Sequence, residues 1–384
     1  MALAHSDNHA EALHPDDASP APTLRLLTVE GERTTRGEDA DRVADIDDAA
    51  LAELYTKMVV LRRIDAEGTA LQRQGQLALW APCTGQEAAQ IGAAQAFRDT
   101  DFLFPTYRDH GVIHSRGVAP AEVMRQWRGA SHGGWDPHVK SLAPVQIIIG
   151  AQTLHAVGYA MGAVFDGRGG AAVAFLGDGA TSQGDANEAM VFAASYRAPV
   201  LFFLENNQFA ISEPVTLQSR TPLVDRPRGF GIRSVRVDGN DVLAVLSATR
   251  DALARIDAGE GPQYIEAVTY RRGAHTTADD PTRYRDAELA AWWERQDPLA
   301  RVEAHLCSRG ADVDALAAAA TGEADGVAAE LRAAVVGMSE DDPELLFTHV
   351  YAEPHARLDE QRRDYLDYLA ATTPETVTEG GAQA

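Results

Sequence analysis

Apolar positions recur close to helical spacing between Asp47 and Gln74, at Leu51, Leu54, Tyr55, Met58, Val59 and Ile64. This predicts an amphipathic helix entered through Asp47 or Asp48. A second helix follows, with Thr84 and Glu87 at capping-box spacing ahead of the small-residue run Ala88 to Phe97. The middle of the chain then alternates between two patterns. Short apolar runs at Ala171 to Leu176 and Val200 to Leu204, and strand-like segments at Ile232 to Val237 and Tyr264 to Tyr270, are separated by helical segments at Ala186 to Tyr196 and Leu243 to Ile256. Asp241 is placed to cap the last of these helices. Such a βαβ series predicts an α/β fold, a mostly parallel central sheet with helices on both faces and ligand crevices at the carboxyl ends of its strands. Beyond about Asp286 the pattern is helical and charged.

The ends read differently. Residues 1–46 mix Pro, His, Asp and Glu without periodicity and are expected to form a disordered acidic arm. Residues 47–372 are expected to form one domain with a helical extension from about 286, and 373–384 a flexible tail. A formal net charge of −23 would repel a phosphate backbone or an anionic membrane, so neither nucleic acid nor membrane is an expected partner. Cys83 and Cys307 are far apart and suggest neither a disulfide framework nor a cysteine-rich zinc site. With no membrane-length apolar run and no apolar signal core, and with no Lys or Arg before Arg25, a cytoplasmic location is expected.

The chemistry concentrates after two of the strands. Gly177-Asp178-Gly179 ends one and Asn206-Asn207 ends the next, with 26 residues between Gly179 and Asn206, enough for one crossover helix. Both clusters can therefore face one crevice. The glycines would let the backbone approach an anion, and amides at the start of the following helix could bind phosphate oxygens. Asp178 puts a negative charge in that cradle, which is repulsive toward a diphosphate unless a cation lies between them. The oxygen donors of Asp178, Asn207 and a nearby carbonyl suit Mg²⁺. A dinucleotide fingerprint competes, with Glu205 as its ribose contact, but Ser182 stands at its last glycine position and Asp178 has no role in it.

The stretch GDGATSQGDANEAMVFAASYRAPVLFFLENNQFAIS matches the thiamine diphosphate motif. It resembles the alpha subunit of the decarboxylating component of 2-oxo acid dehydrogenase complexes. The likeness extends to FPTYRDHG around Tyr107 and Arg108, QIIIGAQTLHAVGYAMGA, VDGNDVLAV, YRRGAHTTADDPTRYR around His275 and WERQDPLAR, covering roughly residues 50 to 370.

This resemblance implies thiamine diphosphate and Mg²⁺ as cofactors. Asp178, Asn207 and the carbonyl of Phe209 would hold the metal. Gly177, Gly179, Ala180 and Arg108 would contact the diphosphate, with Tyr107 lining the site. Ile147 and Ile149 would meet the aminopyrimidine, and His275 would sit over the reacting carbon for proton transfer or substrate orientation. Thr276 and Thr277 lie where some relatives carry regulatory phosphoserines, and the residues that bind potassium in some branched-chain relatives are replaced around Ile147, Ile148 and Ala151. His110 and His114, although spaced four apart, are read as non-metal.

The resemblance further implies oxidative decarboxylation of a 2-oxo acid with acyl transfer to lipoamide. The carboxylate that must face the aminopyrimidine is not assigned in this chain, so the resemblance places it on a separate beta subunit. The expected assembly is an α2β2 heterotetramer docked on a lipoyl-bearing dihydrolipoyl acyltransferase core. The segment PELLFTHVYAEPHARLDEQRRDYLDYL resembles branched-chain enzymes acting on 3-methyl-2-oxobutanoate, while QIIIGAQ and DDPTRYR are similar to pyruvate dehydrogenases. An acetoin dehydrogenase-type or transketolase-like activity and a non-catalytic organising subunit are the other readings.

Overall fold

A computed structural model describes residues 23–130, 134–339 and 341–372. Among these residues, six strands form one sheet in the order β1-β7-β8-β4-β3-β2, with every pairing parallel. They are β1 (Thr23–Leu24), β2 (Phe102–Phe104), β3 (Ala172–Gly177), β4 (Val200–Asn206), β7 (Arg233–Asp238) and β8 (Gln263–Val268). β5 (Phe209–Ala210) and β6 (Glu213–Pro214) form a separate antiparallel hairpin. The expected mostly parallel α/β sheet is therefore present.

The continuous apolar runs reflect a sheet covered on both faces. Val173 and Phe175 of β3, Leu201 and Phe203 of β4 and Ile265 of β8 pack into one cluster with Ile64, Ala89 and Val245 from helices Asp48–Arg73, Glu87–Ala94 and Val242–Asp257. The alternate residues Ala174, Leu176, Phe202, Leu204 and Tyr264 pack on the opposite face against Ala156, Ala160 and Met190 from helices Ala151–Phe165 and Gly184–Tyr196. Asp47 caps the first helix through the amide of Ala50, and Asp241 caps Val242–Asp257 through Leu243 and Ala244, as the pattern predicts.

The structure corrects three expectations. Residues 23–46 are folded rather than a disordered arm, while residues 1–22 and 373–384 lie outside the described residues. β1 extends the sheet beside β7, the amides of Leu26 and Leu27 both donate to Asp241 Oδ2 at 2.6 Å, and Leu26, Leu27, Val43 and Ile46 are buried. The apolar residues are too sparse to show a period, and their partners lie some two hundred residues away. The capping box at Thr84 and Glu87 does not form either. Thr84 Oγ1 donates instead to the buried carboxylate of Asp65, and Glu87 accepts from Arg62 at 2.8 Å and from the amide of Gly85 at 3.0 Å, leaving Gln86 as the cap. Finally, the chain divides into two compact units after Gly337 rather than forming one domain to residue 372. In the second unit, helices Leu345–Thr348 and Ala356–Thr372 are joined by Arg362 to Glu344 at 3.2 Å and by contact of the Phe347 and Tyr365 rings. None of the helices of the described residues is long and apolar enough to cross a membrane.

Candidate active site

Gly177 of β3 lies beside Glu205 of β4 in parallel register, so both motifs leave the sheet at the same end. Helix Gly184–Tyr196 makes the crossover between them. A cavity of about 250 Å³ opens there. Tyr107, Arg108, Ile149, Gly177, Asp178, Gly179, Ala180, Asn207, Phe209 and His275 all line it, although they come from widely separated segments. Ile147, half exposed, is not among its lining residues, and Ile148 is.

The two glycines do different work. A Cβ on Gly177 would meet nothing within 4 Å, so its side of the cavity is open to a ligand. A Cβ on Gly179 would stand 2.8 Å from Cβ of Ala210, so this glycine is needed for the β5–β6 hairpin to close on the turn. The two asparagines also divide. Asn206 turns into the protein, donating to Glu266 at 2.7 Å and accepting from the amide of Gln208 at 3.1 Å. Asn207 lines the cavity, its Oδ1 accepting from the amide of Phe209 at 3.3 Å and its Nδ2 donating to Gln86 Oε1 at 3.2 Å.

Asp178 is buried, and its side chain accepts from Gln218 Nε2 at 2.9 Å. Burial raises its pKa above the ordinary carboxylate range, against the opposing effects of Gln218, Arg271 and Arg108. Asp178, Asn207 and Phe209 line the same cavity, and a desolvated carboxylate with an amide oxygen there is a donor set suited to a hard divalent cation such as Mg²⁺, while the Phe209 carbonyl already accepts from Arg271 at 2.9 Å. Among the described residues no group of three or more His, Cys, Asp or Glu side chains could hold a metal. The fit therefore depends on amide and backbone oxygens.

Arg108 and His275 also line the cavity. Arg108 is buried, donating through Nη1 to the Pro82 carbonyl and through Nη2 to the His275 carbonyl at 2.9 Å. The same Nη2 lies 3.2 Å from His275 Nδ1. A guanidinium can only donate, so Nδ1 is the acceptor and the neutral ring carries its proton on Nε2. Burial first, then the charges of Arg108 and Arg271, push the His275 pKa down to about 4. The Tyr107 ring stands edge-on to that of His275, with centroids 6.3 Å apart.

Several residues here escaped sequence reasoning. Arg271 is buried and donates to the carbonyls of Phe209 and Ile211 at 2.9 and 2.6 Å, holding the hairpin whose turn places Ile211 at φ 57, an uncommon conformation for a β-branched residue. Tyr284 accepts from Arg271 at 2.9 Å and donates to Asp279, while the Asp279 carboxylate also accepts from the amide of His275. Thr277 pins the loop to Trp80 through two hydrogen bonds. Their signals were the polarity of the 271–285 loop after a strand and the family-like run around His275, which marked Thr277 only as a position of regulatory phosphorylation in some relatives. Glu205, the ribose contact of the dinucleotide reading, also lines the cavity, and burial together with nearby Asp109 raises its pKa well above the ordinary range.

Comparison with known proteins decides between the two phosphate-site readings. The family described as Dehydrogenase E1 component matches residues 55–334. This chain belongs to that family. Membership in the E1 family implies thiamine diphosphate, and the cavity, with the Arg108 guanidinium on its lining, an open face at Gly177 and oxygen donors from Asp178 and Asn207, fits that group. Among E1 relatives, the 3-methyl-2-oxobutanoate dehydrogenase subunit alpha of Mycobacterium tuberculosis strain H37Rv is 48% identical over 329 residues, covering 85% of this chain and 90% of the relative. The pyruvate dehydrogenase E1 component subunit alpha of Staphylococcus aureus strain Mu50 is 43% identical over 273 residues, covering 70% of this chain and 74% of the relative.

Proposed function

We propose that this chain is the alpha subunit of a branched-chain 2-oxo acid dehydrogenase, acting on 3-methyl-2-oxobutanoate with acyl transfer to lipoamide. The observation that carries the reading is the meeting of Asp178, Asn207, Arg108 and His275 around one cavity in a chain 48% identical to a 3-methyl-2-oxobutanoate dehydrogenase alpha subunit. Bound thiamine diphosphate would supply the carbanion chemistry of decarboxylation. Asp178, Asn207 and the carbonyl of Phe209 would hold Mg²⁺, and Arg108 would balance the remaining charge of the diphosphate. His275, kept neutral, would offer its Nε2–H to the substrate as a hydrogen-bond donor or orienting group. Ile149, Ala210 and Ile211, which also line the cavity, would shield the reacting region from water.

The carboxylate needed against the aminopyrimidine would come from a beta subunit in an α2β2 assembly, which would dock on a lipoyl-bearing dihydrolipoyl acyltransferase core in the cytoplasm. A second reading, pyruvate as substrate, is favoured by the pyruvate dehydrogenase relatives. The test is thiamine diphosphate- and Mg²⁺-dependent decarboxylation by the chain co-expressed with its beta subunit. Preference for 3-methyl-2-oxobutanoate supports the proposal and preference for pyruvate supports the second reading. Turnover independent of lipoamide would point to another thiamine-dependent reaction.

A further inference from the structure

We propose that Gln218 and Gln86 are positioning residues of the cation site, each holding one of its two side-chain ligands; this rests on the reading of Asp178 and Asn207 as those ligands. Gln218 Nε2 donates to Asp178 Oδ2 at 2.9 Å and to the carbonyl of Glu213 at 3.0 Å. It thereby ties the carboxylate to the β5–β6 hairpin, which also carries the Phe209 carbonyl. Gln86, fully buried, accepts from Asn207 Nδ2 at 3.2 Å, while the Phe209 amide donates to Asn207 Oδ1 at 3.3 Å. The Asn207 amide is thus set from both ends, its nitrogen toward Gln86 and its oxygen toward Phe209. A flipped amide would present N–H groups to a cation and repel it.

The same glutamines leave their other ends unsatisfied. Gln86 Nε2 and Gln218 Oε1 are buried without hydrogen-bond partners. An unmade hydrogen bond in the interior is costly, so two amides that leave one end unpaired while the other holds a prospective ligand are better explained by that contact than by packing. Neither residue is charged, so neither forms an ion pair that would compete with a metal for the carboxylate.

The test uses the alpha chain co-purified with its beta subunit and titrates Mg²⁺ calorimetrically at saturating thiamine diphosphate. Supporting partners around metal ligands typically affect affinity by about 10–100-fold, so Gln218→Met and Gln86→Leu are expected to raise the Mg²⁺ Kd roughly tenfold or more. Gln86→Glu, which keeps the acceptor oxygen, is expected to restore most of the affinity. In decarboxylation assays the KM for Mg²⁺ should rise while kcat at saturating Mg²⁺ is retained. Thermal melting checks folding. If Gln86→Leu does not fold, Gln218→Met, at a partly exposed position, decides alone. Wild-type Mg²⁺ affinity in folded glutamine variants, with Asp178→Ala abolishing binding, would overturn this proposal and leave the cation-site reading intact. Thiamine diphosphate binding by the wild type without a divalent cation would overturn both.

Discussion

Arg108 Nη2 lies 3.2 Å from Nδ1 of His275 and donates to the carbonyl of the same residue at 2.9 Å. One guanidinium thus fixes both the place and the tautomer of the ring, and its charge opposes protonation. In Arg108→Gln burial and the Arg271 charge remain and the Arg108 charge is gone, so the His275 pKa should move from about 4 part of the way toward the ordinary histidine range. Histidine NMR titration, with the resonance assigned by His275→Asn, checks this. An unmoved pKa would mean that burial and Arg271, not Arg108, set it.

His110 gives a prediction for stability. It is buried against Trp80, with ring centroids 4.2 Å apart, and burial lowers its pKa from 6.5 to about 4. The unfolded chain takes up a proton between those values and the native site does not. The contribution of His110 is therefore fully present above about pH 6.5 and is lost as pH falls toward 4. Its size is on the order of 3 kcal/mol across that window. Denaturant unfolding from pH 7.5 to 4.5 should show a shallower decline for His110→Gln than for the wild type. Parallel curves would refute the assignment.

The glycines of the motif should separate stability from binding. Gly179→Ala brings a methyl to 2.8 Å from Ala210 and is expected to destabilise the ligand-free protein by about 1–3 kcal/mol. Gly177→Ala, with φ −88 and nothing within 4 Å, should change stability by less than about 0.5 kcal/mol yet weaken thiamine diphosphate binding by filling the open face. Chemical denaturation and a calorimetric titration of each variant measure the two effects.

Asp178→Asn removes a desolvated charge and keeps an acceptor for Gln218. The ligand-free variant should melt no lower than the wild type at pH 7. Wild type at a ligand concentration about 100 times Kd gains about 2.7 kcal/mol of protection, and the variant should lose most of that gain with thiamine diphosphate and Mg²⁺. Melting curves with and without ligands test both halves, and full protection of the variant would remove Asp178 from the cation site.

Local patterns in the sequence determined the alternating strands and helices, the caps at Asp47 and Asp241, and the placing of the Gly177 and Asn206 clusters at the ends of neighbouring strands. These follow from side-chain periodicity and from hydrogen bonds to amides two or three residues away. Resemblance added Tyr107, Arg108 and His275, whose residue types alone say nothing of a site. Only the tertiary structure decided the rest. It folded residues 23–46 onto β7 and Asp241, drew the Thr84 hydroxyl to Asp65, divided Asn206 from Asn207, and brought Gln86, Gln218 and Arg271 to the prospective ligands. A side chain's hydrogen-bond partner is chosen by proximity in the folded state, and proximity between segments tens to hundreds of residues apart leaves no local periodicity to read.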